Sequence, residues 1–90
     1  MSDQASKSNS TQKEVKISNL SLQATEADIE QLCRVFGPVE RIHISRDKRN
    51  GRPKGHAYVT FTMESHAEKC VRMLDRHGYD HLILSVTRAD

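Results

Sequence analysis

The chain has 90 residues, a formal net charge of +2, two cysteines and no tryptophan. This length allows one domain and excludes a second, and no apolar run is long enough to span a membrane. Two cysteines are too few for a disulfide framework, so we expect Cys33 and Cys70 to be reduced core thiols of an intracellular protein.

Residues 1–14 are predicted to be a disordered leader. Ser, Gln, Asn, Thr and Lys dominate this segment, and almost no side chain in it is apolar. Such a segment cannot bury enough apolar surface to offset the entropy that ordering would cost, and it lacks the apolar core of a signal peptide. The folded domain is therefore expected to occupy residues 15–89.

A strand and a helix open the predicted domain. Val15–Leu20 alternates apolar and polar residues, as a half-buried strand does. Thr25–Asp28 resembles a capping box, which marks the start of a helix. Apolar residues then recur at helical spacing until Gly37 and Pro38 end the helix; they are Ala27, Ile29, Leu32, Cys33 and Phe36.

A basic loop separates the second predicted strand, residues 39–45, from the third, residues 55–61. Asn50-Gly51 in this loop is a strong turn signal. Between Arg41 and Lys54 lie six basic residues and one aspartate, a net charge of +5. Clustered cations suit a polyanionic partner, and they suit a solvated hairpin loop equally well.

A second helix and a last strand complete the predicted domain. Ala67, Cys70, Val71 and Leu74 mark the helix, and residues 82–87 alternate with Leu82, Leu84 and Val86 toward the core. The order βαββαβ predicts an α+β, ferredoxin-like sandwich, in which two helices cover one face of a four-stranded antiparallel sheet of order 4-1-3-2. The other face of the sheet is expected to be open.

Two segments on the central strands resemble the motifs of the RNA recognition motif family. Lys54–Phe61 (KGHAYVTF) fits the octapeptide of that family except at His56, and Val15–Leu20 (VKISNL) fits its hexapeptide. The resemblance covers residues 15–89. It implies the βαββαβ fold and binding of single-stranded RNA, without catalysis and without a cofactor.

The resemblance implies stacking positions at Lys16, His56 and Tyr58, of which only Tyr58 carries a full aromatic ring. We therefore expect weak, salt-sensitive and largely non-specific RNA binding, in which cations hold phosphates. A protonated His56 would also attract phosphate, which would strengthen binding in mild acid. The expected RNA-binding residues are Lys16, Ser18, Arg41, His43, Arg46, Arg49, Arg52, Lys54, His56, Tyr58 and Arg88.

The C-terminal stretch Gly78–Val86 (GYDHLILSV) is similar to the RNA recognition motif found in the G subunits of eukaryotic translation initiation factor 3. Residues 36–42 (FGPVERI) share this likeness, whereas residues 86–89 (VTRA) lack the Trp of that family. The likeness implies a cytoplasmic, monomeric module that binds mRNA or ribosomal RNA during initiation and scanning. Other subunits of the factor and the 40S ribosome are the partners that it implies.

Two other functions stay open at this point. One is a protein-interaction domain of the same fold with a degraded RNA surface, and the other is a module of a splicing or mRNA-processing factor. A metal site is not expected, because the pairs His66/Cys70 and His77/His81 do not supply the four ligands of a closed zinc site. No catalytic set of residues is predicted.

Overall fold

The structure, a computed structural model, describes residues 13–79 and 81–89, so the predicted leader lies outside the described residues up to position 12. The elements are β1 Glu14–Ser18, α1 Glu26–Cys33, β2 Val39–Arg46, β3 Pro53–Phe61, α2 Glu64–Leu74, β4 Gly78–Tyr79, β5 Leu82–Ile83 and β6 Ser85–Arg88. Four strands form one antiparallel sheet in the order β2-β3-β1-β6, and β4 and β5 form a small hairpin. The predicted fold and strand order are confirmed, with β6 as the fourth strand of the sheet.

The core lies between the helices and one face of the sheet. Alternate strand residues point into it, and the largest of them, Phe61 and Ile17, are fully buried. Burial of one such side chain contributes roughly 1.5–3 kcal/mol to folding. The helices add Ile29, Cys33, Ala67, Cys70 and Leu74. The apolar stripes predicted for these elements are therefore largely confirmed, whereas Ala27 is exposed and Leu82 is only half-buried.

Helix α1 begins at the predicted capping box and ends earlier than predicted. The Asp28 N–H donates to the Thr25 hydroxyl oxygen at 3.2 Å, and the Thr25 N–H donates to the Asp28 carboxylate at 3.1 Å. The helix ends at Cys33, and Phe36 lies in the following turn, where its N–H donates to the Cys33 carbonyl at 2.9 Å. This turn requires glycine at position 37, because a Cβ there would overlap the ring of His66.

The predicted last strand, residues 82–87, is interrupted at Leu84. The Leu84 N–H donates to the His77 carbonyl at 2.9 Å, and the Leu84 carbonyl accepts from the Arg76 N–H at 2.8 Å. Both backbone groups of Leu84 are therefore used by the segment that follows α2, and neither pairs with β1. Leu82 and Ile83, before this interruption, belong to the small hairpin, and Ser85–Arg88, after it, form β6.

Cys33 and Cys70 are free, fully buried thiols at the contact between the two helices. A side-chain hydrogen bond with Cys33, together with burial, raises the pKa of the Cys70 thiol far above its ordinary value. Since the thiolate is the reactive form of cysteine, burial and the raised pKa disfavour reaction at Cys70 in the folded protein. The prediction of reduced core thiols is confirmed.

Candidate nucleic-acid interface

Three rows of side chains line the face of the sheet that the helices leave uncovered, which we call the open face. The rows follow the register of the strands, so that each member lies beside its neighbour on the next strand. The central row consists of His43, Tyr58, Lys16 and Thr87. One flanking row contains His56, Ser18 and Ser85, and the other contains Arg41, Thr60 and Glu14.

Tyr58 lies at the centre of the open face, and two imidazole rings adjoin it. The rings of His43 and Tyr58 are stacked, with centroids 6.5 Å apart and planes inclined by 29°. The ring of His56 meets Tyr58 edge-on, at a centroid distance of 6.0 Å. These contacts hold the phenol ring against the sheet while it stays partly exposed, as a platform for a stacked base requires.

His56 is held in its neutral form by its surroundings. Burial lowers the pKa of His56 below the ordinary value of 6.5, and the positive charges of Lys16 and Lys54 lower it further. The imidazole is therefore uncharged at neutral pH and presents a polar, stackable ring. The protonated form that the sequence suggested as a phosphate ligand is therefore disfavoured in the free protein.

A loop rich in cations extends from the end of strands β2 and β3; we call residues 46–54 the basic loop. Asp47 organises this loop, because its carboxylate accepts from the Arg49 N–H at 2.7 Å and its N–H donates to the Arg52 carbonyl at 2.8 Å. The Asn50 side chain accepts from the Arg52 N–H at 2.9 Å. The loop is thus folded by its polar side chains, which leaves the cationic side chains exposed to solvent.

The basic loop and the open face are continuous. A single groove contains the cations Arg46, Lys48, Arg49 and Lys54 and the carboxylates Asp47 and Glu26. Its other lining residues are His43, Ile44 and Ser45 of β2. A polyanion that lies over His43 can therefore extend along the cations of the loop. This arrangement suits an extended strand whose charges repeat at every residue.

The structure brings ten of the eleven predicted RNA-binding residues to one continuous surface. Six lie on the open face: Lys16, Ser18, Arg41, His43, His56 and Tyr58. Four belong to the basic loop: Arg46, Arg49, Arg52 and Lys54.

Arg88 is the predicted residue that the structure does not bring to this surface. It is the register partner of Val15, which is fully buried, so both side chains lie on the helix side of the sheet. There the Arg88 guanidinium contacts the Glu64 carboxylate at 3.1 Å and the Glu68 carboxylate at 3.8 Å. Along β6, Val86 faces the core and Thr87 the open face, so strand alternation already assigns Arg88 to the helix side. Arg88 therefore lies outside the candidate interface.

Glu14 and Thr60 belong to the open face, although the sequence patterns did not single them out as site residues. Glu14, which was assigned to the leader, is the first residue of β1 and pairs with Thr60. The Thr60 hydroxyl donates to the Glu14 carboxylate at 3.4 Å. Thr60 is expected to point outward and does lie on this face, but it is buried because Glu14 and Arg41 flank it from both neighbouring strands. Extending the alternation of residues 15–20 backward by one position would have found Glu14.

Two other kinds of site find no support in the described residues. Between residues 13 and 89, leaving out position 80, no three His, Cys, Asp or Glu side chains are grouped as a metal site. Over the same ranges, the helices are too short or too polar to cross a membrane. His66 and Cys70, which share one helix, instead serve the core: the His66 ring meets Phe61 edge-on at 6.5 Å, and Cys70 is fully buried.

Comparison with known proteins gives a consistent result. Residues 15–84 match the RNA recognition motif family. Over 72 residues, or 80% of the chain, the sequence is 49% identical to the G subunit of eukaryotic translation initiation factor 3 from Bombyx mori. The same identity is found with the G-1 subunit of this factor from Drosophila erecta. The chain spans about a quarter of the length of these relatives, 26% and 27% respectively.

Solved structures of similar fold include one with bound RNA. The RNA recognition motif of Rna15 with bound RNA (GU) superposes with a TM-score of 0.78 at 26% identity, covering 87% of this chain and 83% of that one. RNA recognition domains 1 and 2 of Sex-lethal from Drosophila melanogaster give a TM-score of 0.81 at 26% identity, covering 87% and 50%.

Proposed function

This chain belongs to the RNA recognition motif family, and we propose that it binds single-stranded RNA on the open face of its sheet. The central row carries the proposal, because it sets the ring of Tyr58 between His43 and Lys16, beside the basic loop. Bases stack on such rings while cations hold the phosphates. The relatives are subunits of a translation factor and the family is a recognition module, so the activity is binding and the protein is not an enzyme.

The proposed binding is weak and depends strongly on salt. Each stacked base contributes roughly 1–3 kcal/mol, and two of the three usual stacking positions hold Lys16 and His56 instead of full aromatic rings. Exposed cations of the basic loop replace part of the lost affinity through phosphate contacts. Phosphate contacts weaken as salt rises, so the affinity is expected to fall steeply between low and physiological ionic strength.

The proposal is tested by a titration with RNA of two kinds. The protein is titrated into a short, fluorescently labelled, unstructured RNA and into a duplex of the same length, at low and at physiological salt, with anisotropy as the readout. We expect the single strand to bind more tightly than the duplex, because stacking on Tyr58 requires an unpaired base. An absence of binding at low salt would contradict the proposal and favour a protein-interaction domain.

We further propose that the RNA is mRNA or ribosomal RNA, bound during translation initiation. The identity of 49% to the Bombyx mori initiation-factor subunit, over most of the described residues, supports this assignment. The cytoplasm is then the expected compartment, and the 40S ribosome and other subunits of the factor are the expected partners. The chain corresponds to about a quarter of each relative. These partners are therefore inferred from the full-length relatives and not from contacts made by this domain.

The initiation assignment is tested with purified ribosomal subunits. The chain is sedimented with 40S subunits and, as a matched control, with 60S subunits at physiological salt. Preferential retention by 40S subunits, reduced in the Tyr58→Ala variant, is the expected result. Equal retention by both kinds of ribosomal particle would show general affinity for RNA and would contradict a specific role in initiation.

A further inference from the structure

A carboxylate lies among the cations and rings of the open face, and we propose that Glu14, together with Arg41, selects guanine beside Tyr58. Within the three rows of this face, Glu14 is the acidic residue, whereas Arg41 and Lys16 are cationic. The inference rests on the proposed RNA binding and adds a base preference to it. It differs from the expectation of largely non-specific binding, which did not take Glu14 into account.

The position of Glu14 makes it accessible to a base on the sheet. A hollow of about 470 Å³ is lined by Glu14, Arg41, Ile42, His43 and Tyr58, within the size range of small-molecule sites. Thr60 lies between Arg41 and Glu14 in the register, so their Cα atoms are two strand spacings apart, roughly 10 Å. A base next to the Tyr58 ring therefore has a guanidinium on one side and a carboxylate on the other.

Among the described residues, neither the Glu14 carboxylate nor the Arg41 guanidinium forms an ion pair. The ion pairs among the described residues involve Asp47, Glu64 and Glu68 with Arg49 and Arg88, and none includes Glu14 or Arg41. Glu14 accepts one long hydrogen bond from Thr60, at 3.4 Å. A carboxylate has about four acceptor positions on its two oxygens, so most of the acceptor capacity of Glu14 remains available to a ligand.

Guanine is the base whose edges match this pair of groups. Its N1–H and N2–H groups are adjacent donors that suit a carboxylate, and its O6 and N7 atoms are acceptors that suit the fork of an arginine. Adenine places the lone pair of N1 against the carboxylate, and the single donor of uracil lies between two carbonyl groups. Cytosine presents one amino donor beside the N3 acceptor. Each of the other bases thus meets repulsion at Glu14 or forms fewer hydrogen bonds.

The charge of Glu14 indicates that it faces a base and not the RNA backbone. A carboxylate beside a phosphate is repelled, whereas a carboxylate that accepts from a base edge forms a charge-assisted hydrogen bond. Phosphate contacts give affinity without choice of sequence, and contacts to base edges give choice. Within the three rows of the open face, Glu14 is therefore the group suited to provide that choice.

The test uses three RNAs that differ at one base and two protein variants of equal charge. The RNAs are short uridine strands with a central guanosine, adenosine or inosine, the last of which lacks the 2-amino group of guanosine. We expect the intact chain to prefer guanosine to adenosine by at least about fivefold, with inosine between them. Glu14→Gln should reduce this preference markedly, with only the contribution of Arg41 remaining. Glu40→Gln removes a charge from the adjoining hollow and should preserve the preference.

Each alternative result has a defined meaning. If the intact chain binds guanosine and adenosine strands equally, or if Glu14→Gln keeps the preference, the inference is overturned while RNA binding stands. If Glu14→Gln tightens binding of all three strands equally, Glu14 only repels phosphate, and the inference is again overturned. If no strand binds, the proposed function itself fails. The inosine strand tests the contact with unaltered protein, so it does not depend on the folding of a variant.

Discussion

Tyr58 occupies the middle of the open face, between His43 on one side and Lys16 on the other. The sheet supplies its position, and the two histidine rings fix its orientation. Since Lys16 and His56 take the places where the family resemblance implies further rings, the proposed function assigns most of the stacking energy to this one side chain. The sequence was sufficient to identify Tyr58, because strand alternation and the octapeptide both point to it.

Replacement of Tyr58 by alanine is predicted to cost about 1–3 kcal/mol of RNA affinity, since one stacking platform is lost. Binding of a short unstructured RNA is measured by calorimetry for both proteins. Met73→Ala, on an exposed position of α2 away from the open face, is the control and should leave the affinity unchanged. Equal affinities of Tyr58→Ala and the unaltered chain would show that RNA binds elsewhere.

His56 is predicted to make RNA binding stronger as the pH falls. In the free protein the pKa of His56 lies below 6.5, so the ring is neutral at pH 7. Phosphates of bound RNA favour the imidazolium and raise this pKa in the complex, so protonation accompanies binding once the pH drops below about 6.5. Affinity measured at a series of pH values should rise over that window, and by less in His56→Gln. A response that is identical in both proteins would contradict the role of His56.

The lowered pKa of His56 also makes the stability of the fold depend on pH. The unfolded chain binds the His56 proton more tightly than the folded one, so the contribution of His56 to stability is intact above pH 6.5 and is lost as the pH falls through the folded pKa. Lys16→Gln removes one of the two neighbouring cations and should bring the pKa of His56 back toward 6.5. NMR titration of the His56 ring measures this directly. A pKa of His56 unaltered in Lys16→Gln would mean that Lys16 does not contribute and that burial and Lys54 set it.

At the scale of elements, the basic loop is expected to provide the salt dependence of binding. Arg49 and Arg52 belong to a loop whose backbone is fixed by Asp47 and Asn50. For single strands the logarithm of affinity falls with the logarithm of salt by about 0.7 for each phosphate contact. The double variant Arg49→Gln/Arg52→Gln is therefore predicted to reduce this slope by about 1.4.

A matched control removes the same charge from the other side of the molecule. Lys69 and Arg72 are exposed on α2, and their double replacement by Gln lowers the net charge by the same amount. Binding of the two double variants is measured across the same salt series. The loop variant should show the smaller slope, and the helix variant should match the unaltered chain. Equal slopes for all three proteins would exclude the loop from phosphate contact.

Strand β6 is joined to helix α2 by the ion pairs of Arg88 with Glu64 and Glu68. Arg88→Gln is predicted to lower the free energy of unfolding by at most about 1 kcal/mol, because the pairs are partly exposed. RNA affinity should not change, since Arg88 lies on the helix side of the sheet. Urea unfolding and an RNA titration on the same variant measure the two effects. A marked loss of RNA affinity without loss of stability would show that Arg88 contributes to RNA binding.

The elements show which features the sequence predicts and which it does not. Alternation and capping residues gave the strands and the start of α1, because these patterns are local. The interruption at Leu84 was not predictable, since it depends on hydrogen bonds with His77 and Arg76 across the turn that follows α2. Arg76 adopts a positive φ of 66° there, a conformation that no local pattern signals for arginine.

At the scale of the whole molecule, the two faces of the sheet differ in what covers them. The helices cover one face and form the core with it, and the other face carries the rings and charges of the interface. The sequence predicted this division, because the βαββαβ order sends both helices to the same side. It did not predict that Thr60 would be buried on the open face, since that burial depends on side chains from two other strands.

The most direct test of RNA binding on the open face is a map of backbone amide shifts during an RNA titration of the isotope-labelled chain. A short unstructured RNA is added at low salt. Binding on the open face predicts that the shifts gather on Lys16, His43, His56, Tyr58 and the basic loop, while exposed positions of α1 and α2 stay unchanged. Shifts confined to the helices, with the central row unaffected, would contradict it.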